Sequence, residues 1–213
     1  SCYLQGGLGN YMFQIAATES LAKDNNDSTV FSMSNTMKVH RHIVTYSENI
    51  LRKINFDDHN PTNVYEEPKF SYNKIPYTPN VYLIGYFQSE KYFINNEKHI
   101  RDIFSPTEED YKYINEKYGD VLYKKTCSIH VRRCDYLDIQ EHHPSCDMGY
   151  YNKGINHMDS DTTFVVFSDD IKWCKENFIG DNFYFVEKQP DYIDLQVMSM
   201  CDNNITANSS FSW

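Results

Sequence analysis

A chain of 213 residues, 40% hydrophobic and 15% aromatic with eight glycines and no low-complexity tract, has the material for one large or two small folded domains and is not a disordered segment. A formal net charge of -10 argues against a nucleic-acid binder, which carries a basic stripe, but leaves room for a phosphate-bearing small molecule met by local cations. No run of about 18 apolar residues spans a membrane, and Ser1-Cys2-Tyr3-Leu4-Gln5 is too short for a signal peptide, so a soluble, cytoplasmic protein or soluble domain is expected.

Six cysteines, at 2, 127, 134, 146, 174 and 201, lack Cys-x-x-Cys spacing and fit reduced thiols better than disulfides or zinc. A metal site built from Cys127, Cys134, His142, His143 and Cys146 would have no known zinc-ligand spacing, so no metal is expected. The Asn-x-Ser/Thr sequons at Asn26, Asn204 and Asn208 do not establish secretion in so Asn-rich a chain. The chain does not begin with Met and is expected to be trimmed.

The chain opens on a short strand, Cys2–Leu4. The turn Gly6-Gly7-Leu8-Gly9-Asn10 follows, then a helical pattern with Met12, Phe13, Ala16, Ala17, Ser20 and Leu21 on one face. Strand, glycine turn and helix together aim backbone N–H groups and a helix N-terminus at an anion. Gly7 and Gly9, with Gly6, allow close backbone approach, and Asn10 adds an amide. The turn is neither Gly-x-Gly-x-x-Gly nor a phosphate-binding loop with Lys-Ser/Thr; taken alone it need be no more than a turn.

A strand over Thr29–Met33 comes next, then a polar and aromatic region to about Asn80 with no readable organisation. Val81–Phe87 reads as a buried strand. Ser89 is expected to cap a helix bearing Tyr92, Phe93, Ile100, Ile103 and Phe104, and Thr107 to cap a second that Gly119 breaks. That break divides the chain into expected lobes, 1–122 and 123–213.

The second half alternates strands and helices. Cys127, Ile129 and Val131 alternate as in a strand that runs into Arg132, Arg133 and Asp135. Thr163–Phe167 is a buried strand stopping at Ser168, Asp169 and Asp170, which cap a helix with Ile171, Trp173, Cys174 and Phe178. Phe183–Val186 is a strand, Pro190 and Asp191 open another helix, and Ile205–Asn208 is a last strand before Ser209, Ser210 and Ser212. This is the pattern of a parallel sheet covered on both faces, whose strand carboxyl ends meet at one edge. Arginine forks suit phosphate oxygens, carboxylates accept from base N–H groups, and hydroxyls take further phosphate oxygens. Each cluster also has a plain structural meaning: a surface ion pair of Arg132 or Arg133 with Asp135, or helix caps at Asp169, Asp170, Ser210 and Ser212.

Five segments resemble, in order, the GDP-fucose-dependent alpha-1,2-fucosyltransferases of glycosyltransferase family 11: Gly6–Gln14, Gly85–Phe93, His130–Tyr136, Phe167–Asp170 and Asn208–Trp213. The resemblance implies an α/β, GT-B-like fold of two Rossmann-like lobes with parallel sheets and the donor site in the cleft. It implies inverting transfer of fucose from GDP-β-L-fucose to an acceptor glycan, at galactose O-2, without a metal ion and with no cofactor beyond that donor. The expected partners are the nucleotide sugar and a glycan acceptor.

The expected catalytic group is Arg132, Asp135 and His130. Donor binding is expected from Gly7, Gly9, Asn10, Arg132, Arg133, Asp169, Asp170, Asn208, Ser209, Ser210 and Ser212. Asp138, Glu141, His142 and His143 are the candidates for a general base. The family usually has Gly at the position of Cys134 and Gln at that of Tyr11, and continues beyond the position of Trp213. A strained Cys134 or a missing tail would leave a GDP-sugar-binding module without turnover.

Overall fold

The computed structural model describes residues 1–33, 43–138, 141 and 144–213, which form two compact units, Ser1–Thr107 and Glu108–Trp213. The fold is α/β and GT-B-like.

In the first unit, β1 (Asn63–Glu66) pairs in parallel with β2 (Val81–Ile84), and Cys2 adds a parallel bridge to Leu83. Three segments therefore end at one edge of this small sheet. The glycine turn leads from it into α1 (Leu8–Asp24), where Tyr11, Gln14, Ile15 and Thr18 are buried. Met12 and Phe13, expected inside, are only half-buried. Asn26, at φ 53°, adopts the left-handed backbone that Asn tolerates and follows the end of the helix. The strand expected at Thr29–Met33 is a single bridge, Phe31 to Phe56.

The helix expected from Ser89 begins later. Two short 3-10 turns, Glu90–Tyr92 and Ile94–Asn96, precede α2 (Glu97–Ile103), and the Ser89 side chain makes no capping bond. The Asn96 amide is directed elsewhere, to Ser20 Oγ at 2.9 Å and Asp24 Oδ1 at 2.7 Å, which fixes the turn against α1.

The second unit starts with α3 (Glu108–Leu122), one helix before the lobe limit expected at 122/123. Gly119 lies inside this helix and does not break it. A mid-helix glycine costs about 1 kcal/mol. Burial of Ile114 and Tyr118 against Val165, Phe167 and Val197 offsets that cost.

The remaining elements are β3 (Thr126–Val131), α4 (Cys134–Asp138), α5 (Met148–Ile155), β4 (Thr163–Ser168), α6 (Ile171–Asn177), β5 (Phe183–Phe185), α7 (Asp191–Ser199) and β6 (Asn203–Ile205). The strands form one parallel sheet in the order β5-β4-β3-β6. Helices cover both faces. Val165 and Phe167 join α3 and α7 in one core, while Cys127, Ile129, Phe164 and Val166 join α5 and α6 in the other. All six residues of β3 are buried, so it is a central strand and not a half-exposed one.

Candidate functional site

Because its neighbours are parallel, β3 delivers Arg132 and Arg133 to the same edge as Ser168, Asp169 and Asp170 from β4. Arg132 Nη2 lies 2.8 Å from Asp135 Oδ2, and Nη1 lies 3.1 Å from Asp169 Oδ2. The guanidinium stands 5.5 Å from the Tyr136 ring and keeps about a third of its side chain exposed. Two carboxylates thus fix the fork while occupying two of its five N–H donors.

Arg133 is braced differently. Its Nε lies 3.3 Å from Asp170 Oδ2, its guanidinium sits 4.0 Å above the Trp173 ring, and its backbone N–H donates to Asp169 Oδ1 at 2.9 Å. Asp170 also caps α6, accepting from the Trp173 N–H. Both aspartates, expected to contact the base or ribose, have their carboxylates spent on the arginines and the helix cap. The ion-paired cluster holds two positive and three negative formal charges.

Cys134 opens α4, and its backbone is not among the left-handed ones of the described residues. The strain expected at this position is absent, and the thiol donates to the Asp169 carbonyl at 3.3 Å.

His130 is 6% exposed, on the face of β3 opposite Ile129. Its Nδ1 lies 2.8 Å from Ser212 Oγ, its ring packs on Phe211 at 5.3 Å, and its carbonyl accepts from the Tyr151 hydroxyl at 3.2 Å. Burial, and secondarily the Arg132 charge, pushes the imidazole down to about 4, so the ring is neutral at pH 7.

The turn after β6 is closed on itself. The N–H groups of Ser212 and Trp213 both donate to the Ser209 carbonyl, and Phe211 N–H donates to Ser209 Oγ. It therefore presents mainly hydroxyls. Ser209 bonds Tyr136, which links the turn to the Arg132 cluster; Ser210 is half-buried, and the Asn208 amide donates to the Pro144 carbonyl at 3.3 Å.

Beside the aspartates lies a groove of about 220 Å³ lined by Ser168, Ile171, Val186, Lys188, Gln189 and Asp194. Burial raises the Asp194 carboxyl to about 6, against a 2.5 Å bond from the Gln189 amide. Sequence reasoning missed Lys188, Gln189 and Asp194. The signal available was their position after β5, at the same sheet edge.

In the first unit, Gly6 has φ +87°, and a Cβ there would lie 2.1 Å from Asn10 Nδ2. Gly7 stands immediately before α1 with nothing within 4 Å of the place a Cβ would take, and Gly9 is buried in the first helical turn. Asn10 Oδ1 accepts from the Gln88 amide at 2.7 Å. Gln14, fully buried, bonds both Gln5 and the Gly85 carbonyl, so the glycine turn and the 85–88 loop form one piece.

Of the base candidates, Asp138 ends α4 and is exposed, as is Glu141, while His142 and His143 lie outside the described residues. Among the described residues no group of three or more His, Cys, Asp or Glu side chains is placed to hold a metal ion. Among them, too, no helix is long and apolar enough to cross a membrane.

A four-stranded parallel sheet with helices on both faces, and an arginine fork held by carboxylates at its carboxyl edge, form an α/β protein with a cationic fork where such sheets bind ligands. The chain belongs to glycosyltransferase family 11: the family described as Glycosyl transferase family 11 matches residues 1–213. An alpha-1,2-colitosyltransferase of Escherichia coli is 30% identical, over 99% of this chain and 84% of that protein. The O-antigen biosynthesis glycosyltransferase WbnK of Escherichia coli is 32% identical, over 62% of this chain and 48% of that protein.

In fold, the chain is similar to the crystal structure of fucosyltransferase NodZ from Bradyrhizobium, with a TM-score of 0.65 and 12% identity over 99% of this chain and 89% of that one. It is also similar to NodZ alpha-1,6-fucosyltransferase soaked with GDP-fucose, with a TM-score of 0.63, 12% identity and the same coverage.

Proposed function

We propose that the chain transfers fucose, with inversion and without a metal ion, from GDP-β-L-fucose to a glycan hydroxyl, O-2 of a galactose. Family membership, the alpha-1,2 linkage in the name of the colitosyl relative and the GDP-fucose soaked into a protein of like fold support this reading. The observation that carries it is Arg132, part-exposed at a strand's carboxyl end and oriented by Asp135 and Asp169.

The acceptor hydroxyl oxygen attacks the anomeric carbon as the bond from that carbon to the diphosphate breaks; the hydroxyl proton passes to a general base, for which Asp138 and Glu141 are the described candidates, and negative charge builds on the β-phosphate. Arg132 keeps N–H donors for that charge, and one such preorganised donor lowers a barrier by about 3 kcal/mol. In this reading Asp135 and Asp169 position Arg132, and Arg133 braces the turn. Ser212 donates a hydrogen bond to a phosphate oxygen: its Oγ accepts from the Ala207 N–H at 3.2 Å and, in the Nδ1–H tautomer, from His130, which leaves the hydroxyl proton free to donate. In this reading the arginine and serine clusters of the second unit take the donor, and the sheet edge that carries the glycine turn of the first unit takes the acceptor.

Calorimetric titration of GDP and GDP-fucose with EDTA present, on wild type and Arg132→Ala, tests the site. Binding that persists in EDTA and falls at least about a hundredfold in the variant is expected. A folded wild type that binds neither nucleotide overturns the reading. A second reading, favoured by the colitosyl relative, keeps the site and changes the sugar: GDP-colitose would then be turned over faster than GDP-fucose.

A further inference from the structure

The carboxyl edge of the first unit's sheet carries a third loop beside the glycine turn and the 85–88 loop: residues 67–74, which follow β1. Phe70 is 76% exposed, and its ring stacks on Tyr86 at 5.9 Å and 24°. Tyr72 is 42% exposed and packs at 4.9 Å on Tyr92, whose ring meets Phe87 edge-on at 5.4 Å.

These rings are held in place. Glu67 Oε2 accepts from the N–H groups of Tyr86 at 2.7 Å and Phe87 at 3.0 Å, and the Tyr92 hydroxyl accepts from Asn73 N–H at 3.1 Å. Phe87 has φ +51°, a backbone that a Phe seldom adopts and that the two bonds to Glu67 maintain. Leaving a Phe in water forgoes the free energy of burying it. Exposed rings fixed in this way form a contact surface.

The surface is continuous with the family's loop, because Tyr86 sits two residues before Gln88, whose amide holds Asn10. A sugar ring suits it: one pyranose face carries C–H groups and stacks on an aromatic ring, while the hydroxyl rim stays free for polar groups and water. We infer that Phe70, Tyr72 and Tyr86 form a stacking platform for a sugar ring of the glycan acceptor. The inference rests on the transferase reading above.

The test is saturation-transfer difference NMR of lactose and methyl β-galactoside, without donor, on wild type and on a Phe70→Ala/Tyr72→Ala double variant. Both substitutions are exposed and leave the fold intact, with GDP calorimetry on each protein as a separate readout of the donor site. Saturation of the sugar C–H protons by wild type, weakened about tenfold or more in the variant, is expected, since two of the three stacking rings are removed. Equal transfer in both proteins, or none to either sugar from a wild type that binds GDP, overturns the platform. Sugar transfer lost in the variant while wild type fails to bind GDP supports the platform and defeats the donor reading instead.

Discussion

His130 and Ser212, 82 positions apart, meet through Nδ1 and Oγ at 2.8 Å. The contact is the last rung of a polar ladder on one face of β3. Thr126 Oγ1 donates to Asp202 at 3.2 Å, Ser128 Oγ to Asn204 at 2.6 Å, and then comes His130 with Ser212. Alternate residues of a strand share a face, so three hydrogen-bonded pairs stitch the C-terminal segment to the strand that delivers Arg132. That ladder sets the serine turn against the arginine cluster.

The His130 ring makes stability depend on pH. The unfolded chain binds its proton near 6.5 and the folded chain only near 4, so the contribution is complete above about 6.5 and is lost as pH falls through 4. The shift corresponds to about 3 kcal/mol. Urea unfolding at a series of pH values is expected to show this loss, and His130→Asn, which does not titrate, to remove that part of it. An NMR titration of the His130 ring with a midpoint above 6 would sink the prediction. Arg132→Ala is expected to raise that midpoint.

Asp169 offers a test whose sign separates two roles. A carboxylate that only adds negative charge near a diphosphate opposes its binding, and Asp169→Asn would then tighten GDP. A carboxylate that holds Arg132 Nη1 at 3.1 Å and the Arg133 N–H at 2.9 Å supports it. The expected outcome is a loss of about tenfold in GDP affinity by calorimetry. Unchanged or tighter binding would assign the cluster to stability alone.

The second unit was legible because its strands are short apolar runs that stop at polar residues. Thr163–Ser168 ends where Asp169 begins, and the side-chain period of two places Val165 and Val166 on opposite faces. What stayed hidden depends on distance or on weak pattern. β1 is almost wholly exposed and shows no alternation, so nothing marked Asn63–Glu66 as a strand. Gln14 bonds Gly85 across 71 positions, and no local rule pairs them. Gly119 signals a helix end by propensity, but the packing of Tyr118 carries the helix past it. Arg132, Arg133, Asp169 and Asp170 were all visible as polar residues at the right edge, while the pairing of Arg132 with Asp169 and of Arg133 with Asp170 across 37 positions was not.

Cys134 should be replaceable. Its backbone is not left-handed and it begins a short helix, so glycine relieves no strain there and costs at most about 1 kcal/mol of helix stability. Cys134→Gly is expected to keep GDP affinity and turnover within about twofold of wild type. A gain of about tenfold or more in turnover would mean that the thiol, which reaches the Asp169 carbonyl, obstructs the donor.

The two adjacent glycines of the first turn are expected to respond in opposite ways. At Gly6 an alanine meets two penalties, a backbone of φ +87° and a methyl group 2.1 Å from the Asn10 amide, and that amide anchors Gln88. Gly6→Ala should therefore cost about 2 kcal/mol or more in urea unfolding and loosen the 85–88 loop. At Gly7 the backbone is extended, at φ -103° and ψ -176°, and no atom lies within 4 Å of the added methyl. Gly7→Ala should cost less than about 1 kcal/mol, the loss of a weak helix cap. If this stable variant also loses turnover with GDP-fucose, the open space beside Gly7 is where substrate approaches the backbone. Full turnover would confine the glycine requirement to Gly6 and to folding.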